Sequence, residues 1–90
     1  MTLPLGKVFG TMGALYAFAQ ALDEEPSTFL ARHANGDWGD VDQEDWQENE
    51  LSLREGFRIL SVYTTLLGEK LWVLTEADRR VTTLLLPAEY

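Results

Sequence analysis

The sequence has no cysteine and only one histidine, His33, among its 90 residues. Disulfide bridges and thiolate metal sites are therefore excluded, and one histidine is too few to predict a zinc site. No apolar run approaches the roughly 20 residues of a membrane-spanning helix, and the first residues lack the basic and apolar segments of a secretion signal. These absences predict a cytoplasmic protein without a cofactor, a metal or a membrane partner.

Basic residues are also scarce. Seven lysines and arginines stand against fifteen aspartates and glutamates, which gives a formal net charge of −8. The imbalance lies in one part of the chain, because residues 23–50 hold ten carboxylates and a single cation, Arg32, whereas residues 54–90 hold five acids and five bases. Such a charge distribution attracts basic surfaces and repels polyanions, so direct DNA binding is not expected.

Apolar residues make up 46% of the chain, enough for one small folded domain over residues 1–90. The spacing of apolar residues predicts a first helix over Thr11–Leu22, with Thr11 as its N-cap. Its large apolar residues fall at intervals of three and four and share one helical face, which comprises Leu15, Phe18, Ala19 and Leu22.

Two further helices are predicted from their end signals. A short one lies between Ser27, its N-cap, and the pair Asn35-Gly36, which suits a left-handed C-terminal cap. A third covers Gln43–Glu55, where Asp42 is the expected N-cap and Gly56 the expected stop.

After Gly56 the pattern favours strands. Phe57–Tyr63, Lys70–Thr75 and Arg80–Leu86 are rich in β-branched, leucine and aromatic residues, and short turn-forming segments separate them. Short connections favour antiparallel neighbours. The sequence therefore predicts an α+β fold with three N-terminal helices packed on a C-terminal three-stranded antiparallel meander.

Three segments also resemble a known group of proteins. Residues 32–39, 72–79 and 82–90 read RHANGDWG, WVLTEADR and TTLLLPAEY. This combination resembles a family of short bacterial proteins that are often described as hypothetical or plasmid-related. The resemblance implies a bacterial protein associated with mobile elements, and it carries over no activity and no residue role.

The acidic segment is the first candidate for function. Its carboxylates could dock on a basic protein surface, or imitate the phosphates of a nucleic acid as an inhibitor would, while an aromatic residue supplies contact area. The predicted partner-binding residues are Asp37, Trp38, Asp40, Asp42, Glu44, Asp45 and Glu48. The structural alternative is that Gly36 caps a helix, Trp38 fills the seam between helices and sheet, and the acids only cap helices and aid solubility.

Two other functions stay open at this point. Small ribonucleases of the barnase and toxin type also place helices before an antiparallel sheet, and His33, Arg58 and Glu76 could supply their acid, phosphate-binding and base groups. A homodimer is the third possibility, formed through an exposed strand edge and the Val81–Leu86 segment. A calcium loop that starts at Asp40 fails, because its sixth and twelfth positions are Asp45 and Leu51.

Overall fold

The computed structural model describes residues 2–20 and 24–90 of the chain. Its elements, in chain order, are β1 (Lys7–Gly10), α1 (Met12–Gln20), α2 (Pro26–Ala34), α3 (Gln43–Glu55), β2 (Ile59–Thr64), β3 (Lys70–Thr75), β4 (Val81–Leu85) and a 3₁₀-helix (Pro87–Glu89). Within the described ranges, every helix is too short or too polar to cross a membrane.

The sheet has four strands in the order β1-β4-β3-β2, and it is mixed. Strands β2, β3 and β4 form the antiparallel pairs that the short connections indicate, but β1 adds to the far side of β4 in parallel. The predicted three-stranded antiparallel meander is therefore wrong, although the α+β class and the three helices before the meander agree with the sequence.

Tertiary contacts, rather than a local signal, create β1. It is only four residues long, and its backbone pairs with a strand more than seventy residues later: the N–H of Lys7 donates to the carbonyl of Arg80 at 2.9 Å and the N–H of Thr11 to that of Leu84 at 2.9 Å. Gly6, at φ +65°, permits the approach, since a Cβ there would lie 2.2 Å from the Arg80 oxygen.

The predicted helix ends are largely correct. Asp42 caps α3, with its carboxylate accepting from the N–H of Asp45 at 2.8 Å, and Gly56 ends that helix at φ +80°. The hydroxyl of Thr11 accepts from the N–H of Ala14 at 3.2 Å, as an N-cap does. The α2 helix begins at Pro26 with Glu25 in the N-cap position, so the predicted N-cap, Ser27, is wrong by two residues. Leu22, the predicted end of the first helix, lies outside the described residues.

The core consists of two clusters on one side of the sheet. Around Phe29 and Tyr63, the larger cluster joins α1 and α2 to the meander; the smaller surrounds Trp38 and includes Leu3 and Ile59. Helix α1 turns its small residues inward, because Ala14 and Ala17 are buried while Leu15 is exposed. Small side chains let the helix lie close to the sheet, and most of its large apolar residues remain outside.

Candidate functional site

Trp38, an expected contact residue, is a core residue. It has no exposed surface and its indole N–H donates to the Glu50 carboxylate at 3.0 Å. Its carbonyl accepts from the N–H of Val62 at 3.1 Å, so the chain here runs along β2 and Gly39 forms an isolated parallel bridge with Val62. The structural alternative describes Trp38 correctly, and this tryptophan offers no contact area to a partner.

Asp37, beside it, is neutralised within the molecule. Its carboxylate accepts from the Arg32 guanidinium at 2.7 Å, and this bond holds the pKa of Asp37 below its ordinary value. Arg32 also lies over the ring of Tyr63, 4.6 Å from its centroid, and the Tyr63 hydroxyl donates to the Asp37 carbonyl at 2.6 Å. These contacts fix the loop between α2 and α3 against the sheet.

His33 lies at the centre of a buried chain of hydrogen bonds. Its Nδ1 is 2.5 Å from the hydroxyl of Ser61 and its Nε2 is 2.8 Å from that of Thr75. The Thr75 hydroxyl is 2.7 Å from that of Thr82, which donates to the carbonyl of Leu5 at 2.7 Å. All four side-chain groups sit inside the protein, under the core face of the sheet.

The directions of these bonds follow from counting hydrogens. Thr82 donates its one hydroxyl hydrogen to the Leu5 carbonyl, so its oxygen must accept from the Thr75 hydroxyl. Because Thr75 uses its hydrogen in that bond, it must accept from the Nε2–H of His33. Nδ1 is left to accept from Ser61. The network therefore places a hydrogen on Nε2, and Nδ1 accepts from Ser61 when the imidazole is neutral.

Burial lowers the pKa of His33 to about 4, and the charge of Arg79 acts in the same direction. The other two residues of the ribonuclease hypothesis lie at the surface, where Arg58 and Glu76 pair with each other at 3.9 Å. A histidine with no exposed surface cannot reach a phosphate at that surface. The geometry gives this hypothesis no support.

The remaining predicted acids divide into two groups. Asp40 accepts from the hydroxyl of Thr64 at 2.8 Å and lies 3.8 Å from Lys70, and Asp42 serves as the cap of α3. Across residues 2–20 and 24–90, no cation lies within ion-pair distance of Glu44, Asp45 or Glu48. Nor does any group of three or more acidic or histidine side chains, in the same ranges, assemble a metal site.

Two of these acids, Asp45 and Glu48, line an open groove between α3 and the face of the sheet opposite the core clusters. We call it the α3 groove; its volume is about 320 Å³ and its lining residues are Val41, Asp45, Glu48, Asn49, Ser52, Arg58, Leu60, Val62 and Trp72. The helix contributes positions 45, 48, 49 and 52, which share one face because helical neighbours recur every three or four residues.

The α3 groove has an apolar floor and an acidic wall. Leu60, Val62 and Trp72 project from adjacent positions of β2 and β3, where Val62 and Trp72 are direct cross-strand partners. The cation in the lining, Arg58, is already engaged, since its guanidinium donates to the Tyr90 hydroxyl at 2.5 Å and lies near Glu76. Asp45 and Glu48 have no such partner among the described residues.

Asn49 anchors α3 in this position. Its amide donates to the carbonyl of Leu60 at 2.7 Å and its amide oxygen accepts from the N–H of Leu60 at 3.3 Å. The side chain thus replaces a neighbouring strand along part of the outer edge of β2, and Gly39 occupies another part. Sequence reasoning missed the floor of the α3 groove, although aligning the β2–β3 hairpin would have placed Trp72 opposite Val62.

Comparisons of this chain with protein-family models, with curated proteins and with solved structures find no match. The resemblance to plasmid-related bacterial proteins therefore stays a prediction, and the α3 groove has to be interpreted from its own chemistry.

Proposed function

We propose that this protein is a docking module whose α3 groove binds a basic segment of another protein. The observation that carries the proposal is the pairing of an apolar floor with two carboxylates, Asp45 and Glu48, that have no cationic partner in the described part of the chain. A lysine or arginine side chain matches both features, because its aliphatic stem packs on apolar surface while its charged head seeks an anion.

The apolar floor of the α3 groove favours basic partners that also present apolar or cation–π contacts. Trp72, which lines the groove and packs edge-to-face with Tyr90 at 5.5 Å between ring centroids, would provide aromatic as well as apolar contact to a bound cation. In this proposal it takes the role that the sequence analysis gave to Trp38. The acids around the entrance of α3, chiefly Asp42 and Glu44, extend the negative field beyond the groove and steer a basic partner toward it. Steering of this kind weakens as salt shortens the Debye length.

The test is a titration of the labelled protein, followed by amide NMR, with a short peptide of alternating lysine and leucine. We expect saturable shifts at the Trp72 indole, the Asn49 side-chain amide and the Leu60 and Val62 amides. The matched peptide with glutamine in place of lysine should bind much more weakly, because it keeps the apolar contacts and loses the charge.

Charge-removing variants separate the groove from the general acidity of the protein. Asp45→Asn with Glu48→Gln should weaken binding about 5- to 30-fold, which corresponds to about 1–2 kcal/mol for two partly exposed ion pairs. Glu55→Gln with Glu69→Gln is the matched control, since it removes two charges from exposed positions outside the groove lining. Equal losses in this control and in the groove variant, or shifts that avoid Trp72, would rule out the α3 groove as the binding site.

A further inference from the structure

A second surface, unrelated to the α3 groove, lies at the other edge of the sheet. Strand β1 is the edge strand on that side, and within the described residues no other strand pairs with its outer side. Its N–H groups at Lys7 and Thr11 donate to β4, so those of Val8 and Gly10, which alternate with them, point outward. Exposed backbone groups of this kind form a template for another strand.

Large apolar side chains surround this edge. We call them the β1–α1 surface; its members are Val8, Phe9, Met12, Leu15 and Tyr16. Met12 is 84% exposed and Tyr16 68%, and the side chain of Leu15 lies against Gly10, which joins the helix part of the surface to the strand part. Together they expose on the order of 500 Å² of apolar area, a patch size that marks interaction sites on soluble proteins.

The charge distribution favours a second copy of the chain as the partner of this surface. Residues 2–20 contain no carboxylate and one cation, Lys7, so they contribute no negative charge to the β1–α1 surface of this −8 molecule. The acid beside the surface is Glu89, which accepts from the Thr11 hydroxyl and the Gly13 N–H at the start of α1. A second copy of the chain can approach here while the two acidic segments stay apart. An open strand edge with outward-pointing donors and acceptors is also self-complementary under two-fold symmetry.

We propose that two copies of this chain form a dimer by antiparallel pairing of β1 with β1, which joins the two sheets into one of eight strands. Val8 of each copy pairs with Gly10 of the other, so four backbone hydrogen bonds form across the junction. Phe9 then faces its own counterpart at the two-fold axis on one side of the sheet. On the other side, the exposed faces of the two α1 helices come together.

The same alignment improves the electrostatics. Lys7 falls opposite Thr11 of the second copy, and the Thr11 hydroxyl donates to the Glu89 carboxylate at 2.5 Å. The lone cation of this surface thus arrives beside an acid of the other copy. Strand pairing plus the apolar surface on both copies approaches the roughly 800 Å² per partner of a stable interface.

A cysteine cross-link tests the alignment directly, because the chain has no cysteine of its own. Phe9→Cys places two thiols at the two-fold axis, where Cα atoms of a non-hydrogen-bonded pair lie about 4.5 Å apart, within disulfide range. Lys7→Cys is the matched control on the same strand face, with Cα atoms about 14 Å apart across the axis. We expect mild oxidation to cross-link Phe9→Cys alone; equal cross-linking of both variants would overturn the proposed alignment.

Sedimentation of the uncross-linked chain tests the dimer itself. At about 100 μM, where association with a Kd of about 1 μM is almost complete, the unmodified chain should have twice the monomer mass. Val8→Pro removes only an outward N–H and should weaken the dimer about 10- to 100-fold. Tyr16→Glu, which brings a charge into the interface, should weaken it by a similar factor.

Leu67→Glu is the control for these variants, because Leu67 is equally exposed, at 64%, but lies in the β2–β3 turn. It should leave the dimer intact, and circular dichroism should show every variant folded. A monomeric unmodified chain at that concentration would overturn the proposal. So would a monomer that floats with phosphatidylcholine vesicles, since the surface would then belong to a lipid bilayer.

Discussion

Lowering the pH from 7 to 5 should destabilise this protein through one buried side chain, His33. In the folded state its pKa is about 4, against an ordinary value of 6.5. Between pH 6.5 and pH 4 the histidine is protonated in the unfolded chain and neutral in the folded chain. The free energy of unfolding therefore falls as the pH falls. The histidine is the sole one in the sequence, which makes its contribution easy to isolate.

The size of the effect follows from the difference in pKa. One unit corresponds to about 1.4 kcal/mol, so the change from pH 7 to pH 5 amounts to about 2 kcal/mol, and the full change below pH 4 to about 3 kcal/mol. A domain of this size has a total stability of about 5–10 kcal/mol. The loss at pH 5 is therefore a large fraction of the whole.

Urea unfolding at several pH values between 5 and 7 measures the effect, with His33→Gln as the comparison. The variant should be less stable at pH 7, because Ser61 and Thr75 lose an ideal partner, but its stability should change little over this range. Nitrogen NMR of the unmodified protein should place the imidazole hydrogen on Nε2 and show no titration above pH 5.

Three results would refute the reasoning. A stability that is flat from pH 7 to pH 5 would mean that the folded state accepts the proton. An imidazole that titrates near 6.5, or one that carries its hydrogen on Nδ1, would contradict the direction of the hydrogen bonds derived from Thr82 and Leu5.

The remaining predictions concern the backbone and its supports. Gly39→Ala should lower the free energy of unfolding, measured with urea, by more than about 3 kcal/mol, because the new Cβ would lie 2.0 Å from a carbonyl oxygen of β2. Gly68→Ala meets open space and should lower it by only about 1–2 kcal/mol, the strain of an alanine at positive φ. Arg79→Ala should lower the free energy of unfolding by about 2–3 kcal/mol, since its guanidinium donates to the carbonyls of Ser52, Phe57 and Glu76. Arg80→Ala, at an exposed site, should be nearly neutral, and equal effects of the two substitutions would contradict this role. Asn49→Ala should speed amide exchange along the outer edge of β2, and unchanged exchange there would contradict its role in covering that edge.

The features that the sequence predicted well are those with local causes. The cap at Asp42 and the stop at Gly56 need only their immediate neighbours, and both are present. The hairpin strands likewise carry their own β propensity. By contrast, β1 exists only because β4 lies beside it, so four residues in a glycine-rich stretch gave no pattern to recognise.

The candidate site was harder to predict because the same residue type can serve function when exposed and structure when buried. Trp38 and His33 have the chemistry of functional residues, yet the fold places both inside and satisfies their polar atoms. In α1, large apolar side chains normally indicate the core face, but alanines occupy that face here. Asp45 and Glu48 were identified as part of a longer acidic segment, and only the packing of α3 separates them from the acids that are paired or used as caps.

The pairing of β1 with β4 also determines when this protein can finish folding. Lys7 pairs with Val81 in the folded sheet, so β1 can join the sheet only after β4 has been synthesised and has docked. The hairpin of β2 and β3 closes a short loop and can form early, whereas the parallel strand closes a loop of most of the chain, which is the slow kind of contact. A nascent chain therefore exposes the apolar β1 segment until β4 has been synthesised, and we expect aggregation during expression to depend on that segment more than on any other.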